Sequence, residues 1–185
     1  MTNDVTVLIC SYKESKYLDT TLSTINSTAD VNSVLIDIEH ERSGIENTTH
    51  RYQRLFTQTT SRYIVKSDDD VRYFPGWLEE CIQVLEENED VAYVCPMSHK
   101  LLPSLHTDAP VYSPGFTYQP FVGGLCWVFR RDLWEQVPYN LVSCIKTIDS
   151  FYGNLVRSRI KKSPAYLNSI LCSHLGQDRH GGIDV

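Results

Sequence analysis

Long apolar runs are missing from this chain: none of its 185 residues lies in a stretch approaching the eighteen or more apolar residues of a membrane-spanning helix. The polar opening "MTNDVTVLIC" has neither the basic start nor the long apolar core of a secretory signal. These two absences lead to the expectation of a soluble, cytoplasmic protein. Basic charge is also scarce. A formal charge of -6 and a pI near 5.5 exclude the overall basic character of a typical nucleic-acid-binding domain, although local basic patches stay possible. No C-x-x-C pair occurs among Cys10, Cys81, Cys95, Cys126, Cys144 and Cys172, which favours buried free thiols over a zinc site or a disulfide framework. No internal repeat, low-complexity tract or linker interrupts residues 1–185, and 42% hydrophobic content suits one globular domain with a sizeable core.

What is present is a repeated strand–helix pattern. "VTVLIC" (5–10) reads as a buried strand, and Leu18, Leu22 and Ile25 then recur at helical spacing. Ser11 with Glu14, or Ser15 in their place, would cap that helix. "SVLIDI" (33–38) and a helix carrying Ile45, Tyr52, Leu55 and Phe56 repeat the unit. "RYIVKS" (62–67) is a third strand, and "PGWLEECIQVLEEN" is a helix with Pro75 near its start. "VAYVC" (91–95) is a fourth strand. Alternation of this kind indicates an α/β fold with a mainly parallel sheet flanked by helices, whose functional groups gather at the carboxyl ends of the strands.

Residues 96–120 hold five of the eight prolines and no clear period, so they read as a long functional loop. "FVGGLCWVFR" (121–130) resumes an extended run, with Gly123 and Gly124 where another chain or a ligand approaches closely. "RDLWEQV" is helical, a further helix opens near Asp149, and "AYLNSILCSHLG" is a late strand running into His174.

The acidic triplet Asp68, Asp69 and Asp70 follows the third strand directly. In an extended chain alternate side chains share a face, which would bring Asp68 and Asp70 together and send Asp69 elsewhere. Two carboxylates facing one point favour a shared proton or a hard divalent cation, and magnesium or manganese suits the mouth of an open α/β sheet. Such ions complete their shell with water and phosphate oxygens, which points to a nucleotide diphosphate. An acidic run taken alone reads as a solvated turn; its place at a strand end is what argues otherwise.

The ordered set "VTVLICSYKES", "VLIDIE", "VKSDDDV", "FPGW", "FVGGLCWVFRRD" and "IDSFYGNLVR" resembles the GT-A fold glycosyltransferases, closest to the large family 2 type, over roughly residues 4–160. The resemblance implies a Rossmann-like GT-A domain. It implies that Cys10, Ser11, Tyr12 and Glu14 lie on the loop that wraps the nucleotide, and that Asp37 accepts a hydrogen bond from the base. The triplet would be the DxD motif, with Asp68 and Asp69 on the donor, Asp68 and Asp70 on manganese or magnesium, and His174 as third ligand; His180 competes for that last place. Gly123 and Gly124 would line the site. Asp149 would be the catalytic base of an inverting enzyme, although Ile148 stands where the family usually has a glutamate. The segment "IEHERSG" after Asp37 departs from the family pattern as well.

The expected activity is metal-dependent, inverting transfer of a sugar from a nucleotide-diphosphate sugar, UDP-sugar favoured, to an acceptor hydroxyl on a glycan, lipid-linked sugar, protein or modified nucleobase. Two alternatives stand beside it. A sugar-nucleotide pyrophosphorylase shares the architecture, but the Gly-rich phosphate loop it needs is not supplied by "SYKESKY". A nucleotide-sugar-binding module without turnover would keep the fold. Lys66 is assigned no catalytic part, and Trp127 suits the core at least as well as sugar stacking. Arg157, Arg159, Lys161 and Lys162 read as a solvated helix end or as contacts to an anion.

Overall fold

A computed structural model describes residues 4–12, 15–39, 45–97, 109–142 and 148–176. Seven strands form one sheet: β1 (Val5–Tyr12), β2 (Ser33–Glu39), β3 (Tyr63–Ser67), β5 (Val91–Cys95), β6 (Phe116–Tyr118), β7 (Cys126–Arg130) and β8 (Ser163–Leu167). Their order is β2-β1-β3-β7-β5-β8-β6, with β7 and β6 antiparallel to the strands beside them. The sheet is therefore mixed, with a parallel majority flanked by helices. A separate two-stranded antiparallel sheet pairs β4 (Val71–Tyr73) with β9 (Cys172–His174).

The helices are α1 (Leu18–Thr28), α2 (Ile45–Phe56), α3 (Trp77–Glu87), α4 (Arg131–Gln136) and α5 (Ile148–Ile160). Strands β3 and β5 are buried along their whole length, which explains their unbroken apolar reading. Aromatic residues fill much of the core: Trp127 and Tyr152 stack at 5.5 Å, and Trp134 and Tyr139 at 5.3 Å. Burying each such ring contributes on the order of 1.5–3 kcal/mol. Trp127 has no exposed surface, so it is a core residue. The five described cysteines are all buried and free; Cys144 lies outside the described residues.

Several sequence expectations change at the local level. Helix α1 begins at Leu18 after Tyr17, with no side-chain cap, so neither Ser11 nor Ser15 caps it; Ser11 sits inside β1. The late strand divides into β8 and β9, which belong to different sheets. Only residues 126–130 of the run 121–130 are strand, and the proline-rich stretch contains β6. The triplet is a turn between β3 and β4 and not an extended segment, so strand alternation does not direct its side chains.

The chain passes from β1 through α1 to β2 on one side, then through α2 to β3 on the other. This makes the carboxyl ends of β1 and β3 a topological switch point, the usual place of a ligand crevice in open α/β sheets. Ser11 and the triplet stand at these ends.

Candidate functional site

Three adjacent carboxylates stay together here because each turns to a different partner. Asp68 accepts from the Lys66 ammonium at 2.9 Å, Asp69 from the Ser11 hydroxyl at 2.6 Å, and Asp70 meets His174 Nε2 at 3.1 Å. The backbone of the turn is fixed as well. Asp68 N–H donates to Leu125 O at 2.9 Å, Leu175 N–H to Asp70 O at 2.7 Å, and the Thr21 hydroxyl to Asp69 O at 2.9 Å. Pairing of β4 with β9 places His174 opposite Val71, beside Asp70.

The electrostatics follow from these contacts. Burial pushes the Asp68 carboxyl up; Lys66 opposes this and Asp70 adds to it, leaving it at about 6 although part of its side chain reaches solvent. Burial alone would lower His174, but the Asp70 carboxylate bonded to it raises the imidazole above its ordinary value. Asp70 and His174 offer an oxygen and a nitrogen donor side by side. Among the described residues, no three of the His, Cys, Asp and Glu side chains form a group that could by itself hold a metal ion.

On the neighbouring side, the Gly123–Gly124 dipeptide is bonded at all four of its polar backbone atoms by side chains. Gly123 N–H donates to the Tyr166 hydroxyl oxygen at 2.6 Å, and Gly123 O accepts from the Trp127 indole at 2.8 Å. Gly124 N–H donates to Asp149 Oδ2 at 2.8 Å, and Gly124 O accepts from Lys66 Nζ. A Cβ on Gly124 would lie 2.7 Å from Asp149 Oδ1, whereas one on Gly123 would meet only the Tyr166 oxygen at 3.5 Å. Asp149 lies in the first turn of α5 and bonds across to this dipeptide. Burial raises its carboxyl, against the pull of Lys66 and of the Gly124 N–H.

Asp37 ends on two guanidiniums: Arg51 Nε at 3.2 Å and Arg54. Burial would raise its carboxyl, and the two arginines more than reverse that, holding it below the usual carboxylate range. Arg51 is almost fully buried and also reaches Glu39 at 2.9 Å and Ser11 O at 2.9 Å. Tyr12 closes β1 opposite Glu39, while Glu14 and His180 lie outside the described residues.

Sequence reasoning missed Lys66 as the hub of the site and Arg51 against the end of β1. Lys66 is 4% exposed, with its ammonium 5.0 Å from the Tyr52 ring centre and 5.2 Å from that of Trp127. A lysine inside a strand directly after the apolar run Tyr63–Ile64–Val65 was the available signal. For Arg51 it was the i, i+4 spacing to Leu55 on the apolar face of α2.

No protein-family model matches the sequence, and no characterised protein matches it at the sequence level. Solved structures match in three dimensions. The mannosyltransferase PcManGT from Pyrobaculum calidifontis, in complex with GDP-Man and Mn2+, superposes with a TM-score of 0.59 at 15% identity, over 83% of this chain and 51% of that one. S. aureus TarS, residues 1–349, gives 0.61 at 8% identity over 89% and 58%. GalNAc-T7 with UDP, GalNAc and Mn2+ gives 0.66 at 8% identity over 92% and 43%. The chain thus spans about half the length of these structures, and its fold is that of the GT-A glycosyltransferases.

Proposed function

We propose that the chain is a metal-dependent, inverting glycosyltransferase that moves a sugar from a nucleotide-diphosphate sugar, UDP-sugar favoured, to an acceptor hydroxyl. The observation that carries this reading is the meeting of two carboxylate systems on one buried lysine, the triplet turn through Asp68 and Asp149 through Gly124, at the carboxyl ends of the sheet.

In this reading Ser11 and Tyr12 at the end of β1 and Asp37 of β2 form the nucleotide side, with Glu14 assigned to it from the sequence. Asp69 supports the end of β1 through Ser11. The adjacent Asp70 and His174, with Asp68 as a further oxygen donor of the turn, fit manganese or magnesium, ions that take one or two carboxylates and fill their shell with water and phosphate oxygens. When bound, the cation would supply Lewis-acid stabilisation of the departing diphosphate. Asp149 takes the proton of the acceptor hydroxyl. Its raised affinity for protons suits that task, since a general base works best with a pKa nearer the operating pH. Gly123 and Gly124 form the wall between the two halves.

Calorimetric titration of UDP and GDP, with and without manganese, into the wild type and Asp70→Asn tests this. One nucleotide should bind in a manganese-dependent way that a chelator reverses and Asp70→Asn loses. Failure of every nucleotide to bind the wild type would overturn the reading.

A further inference from the structure

We infer that Lys66 is a positioning residue for Asp149, acting through the Gly124 peptide: it holds Gly124 O while Gly124 N–H holds the carboxylate. Its role in transfer rests on the function proposed above; the positioning geometry does not.

Four observations carry this. Lys66 and Trp127 are register partners on β3 and β7, so their side chains share a face of the sheet, and Trp127 fixes Gly123 O by its indole N–H. The ammonium stands over the Tyr52 and Trp127 rings, which limits where it can point. Of its two hydrogen-bonded oxygens, one is on Asp68 at the triplet and the other is Gly124 O. Finally, the absence of a Cβ at Gly124 lets the Asp149 carboxylate approach the peptide closely. A buried ammonium costs several kcal/mol of hydration unless it is paired, so this arrangement needs its anionic and carbonyl partners to persist. The consequence is that the donor-side carboxylate and the base are held in one frame and cannot move independently.

The amide proton of Gly124 reports this directly, because its resonance should follow the titration of the carboxylate it bonds. The ionisable groups interacting with Asp149 are Lys66 of β3, Asp68 of the turn, Tyr93 of β5, Tyr139 and Tyr166 of β8; burial raises all three phenols, which stay neutral through the range used. The experiment is two-dimensional 1H–15N NMR of the full chain from pH 4 to 8, in wild type, Lys66→Met and Asp149→Asn. In the wild type the Gly124 signal should titrate, and in Asp149→Asn the amplitude should fall to the smaller part that Asp68, at about 6, passes on through Lys66. In Lys66→Met the midpoint should move up and the Gly123 and Gly124 signals should broaden or shift, with signals from the edge strand β2 unchanged. A Gly124 midpoint equal to the wild type's in Lys66→Met would overturn the inference, as would a titration that survives Asp149→Asn at full amplitude. Should the methionine variant not fold, Lys66→Gln, which removes the charge and keeps a donor, is expected to show the same upward shift. Manganese–UDP calorimetry on the same samples separates the two claims: no binding by the wild type defeats the proposed function and leaves the NMR result standing.

Discussion

Glycine at position 124 is required by what it faces. A methyl group there would sit inside contact distance of the Asp149 carboxylate, so Gly124→Ala should push α5 away or turn Asp149 aside, costing about 1–3 kcal/mol as overpacking does. Gly123→Ala meets only an ordinary contact and should be much milder. Urea denaturation of the two variants checks the contrast. Under the proposed function, Asp149→Asn should retain nucleotide affinity and lose roughly 10²–10⁴-fold in turnover, the usual contribution of a general base. Near-normal turnover would place the base elsewhere. The carboxylates were legible in the sequence because acidic residues beside strand ends and helix starts mark themselves. Lys66 and Arg51 were not, because a charged residue is assigned to the surface unless its partners are known. The partners of Lys66 include Tyr52 and Gly124, which are far from it in sequence.

At the scale of elements, α1 holds the triplet turn through one hydroxyl. Thr21 donates to Asp69 O at 2.9 Å and accepts from Val71 N–H at 3.1 Å. Replacing Thr21 by valine keeps the shape and leaves a buried N–H and a buried C=O without that partner, so it should cost about 1–3 kcal/mol. Chemical denaturation measures the loss. If the proposed function holds, manganese–nucleotide affinity should fall with it, whereas Thr24→Val, which removes a contact to Tyr73 N–H, should affect the site less. The longer elements were readable because their apolar periods extend over five to thirteen residues. Strands β4, β6 and β9, at three residues each, are too short to display a period. Two of these, β4 and β9, support the triplet, so the part of the site that the sequence could not show is the part fixed by pairing distant segments.

For the molecule as a whole, pH acts from two sides. The Asp37 carboxyl is held below its ordinary 3.8, so its ion pairs contribute stability that is present above that value and is lost as pH falls through the folded pKa. Asp37→Asn should therefore be less stable than wild type at pH 7, with the difference closing in strong acid. Urea midpoints at pH 7 and pH 2.5 test this. His174 is raised above 6.5, so its contribution has the opposite sign: full below 6.5 and lost as pH rises through the folded pKa. Asp37 stands on edge strand β2 of the seven-stranded sheet and His174 on β9 of the two-stranded one, so the acid loss falls on the sheet edge and the loss at higher pH on the triplet turn.

The pairing of β4 with β9 also sets an order of events. The triplet is made early in the chain, and its partner strand follows about a hundred residues later, a separation whose closure is slow compared with local helix formation. Until β9 arrives, Asp70 has no imidazole and three neighbouring carboxylates repel one another in water. The sheet strands from β1 to β8 can therefore associate before the triplet turn takes its final shape. A nascent or clipped chain that stops before Cys172 would carry nearly all of the core and none of this clamp. Nucleotide affinity, on the function proposed here, would then report completion of the fold more sensitively than any measure of helix or sheet content.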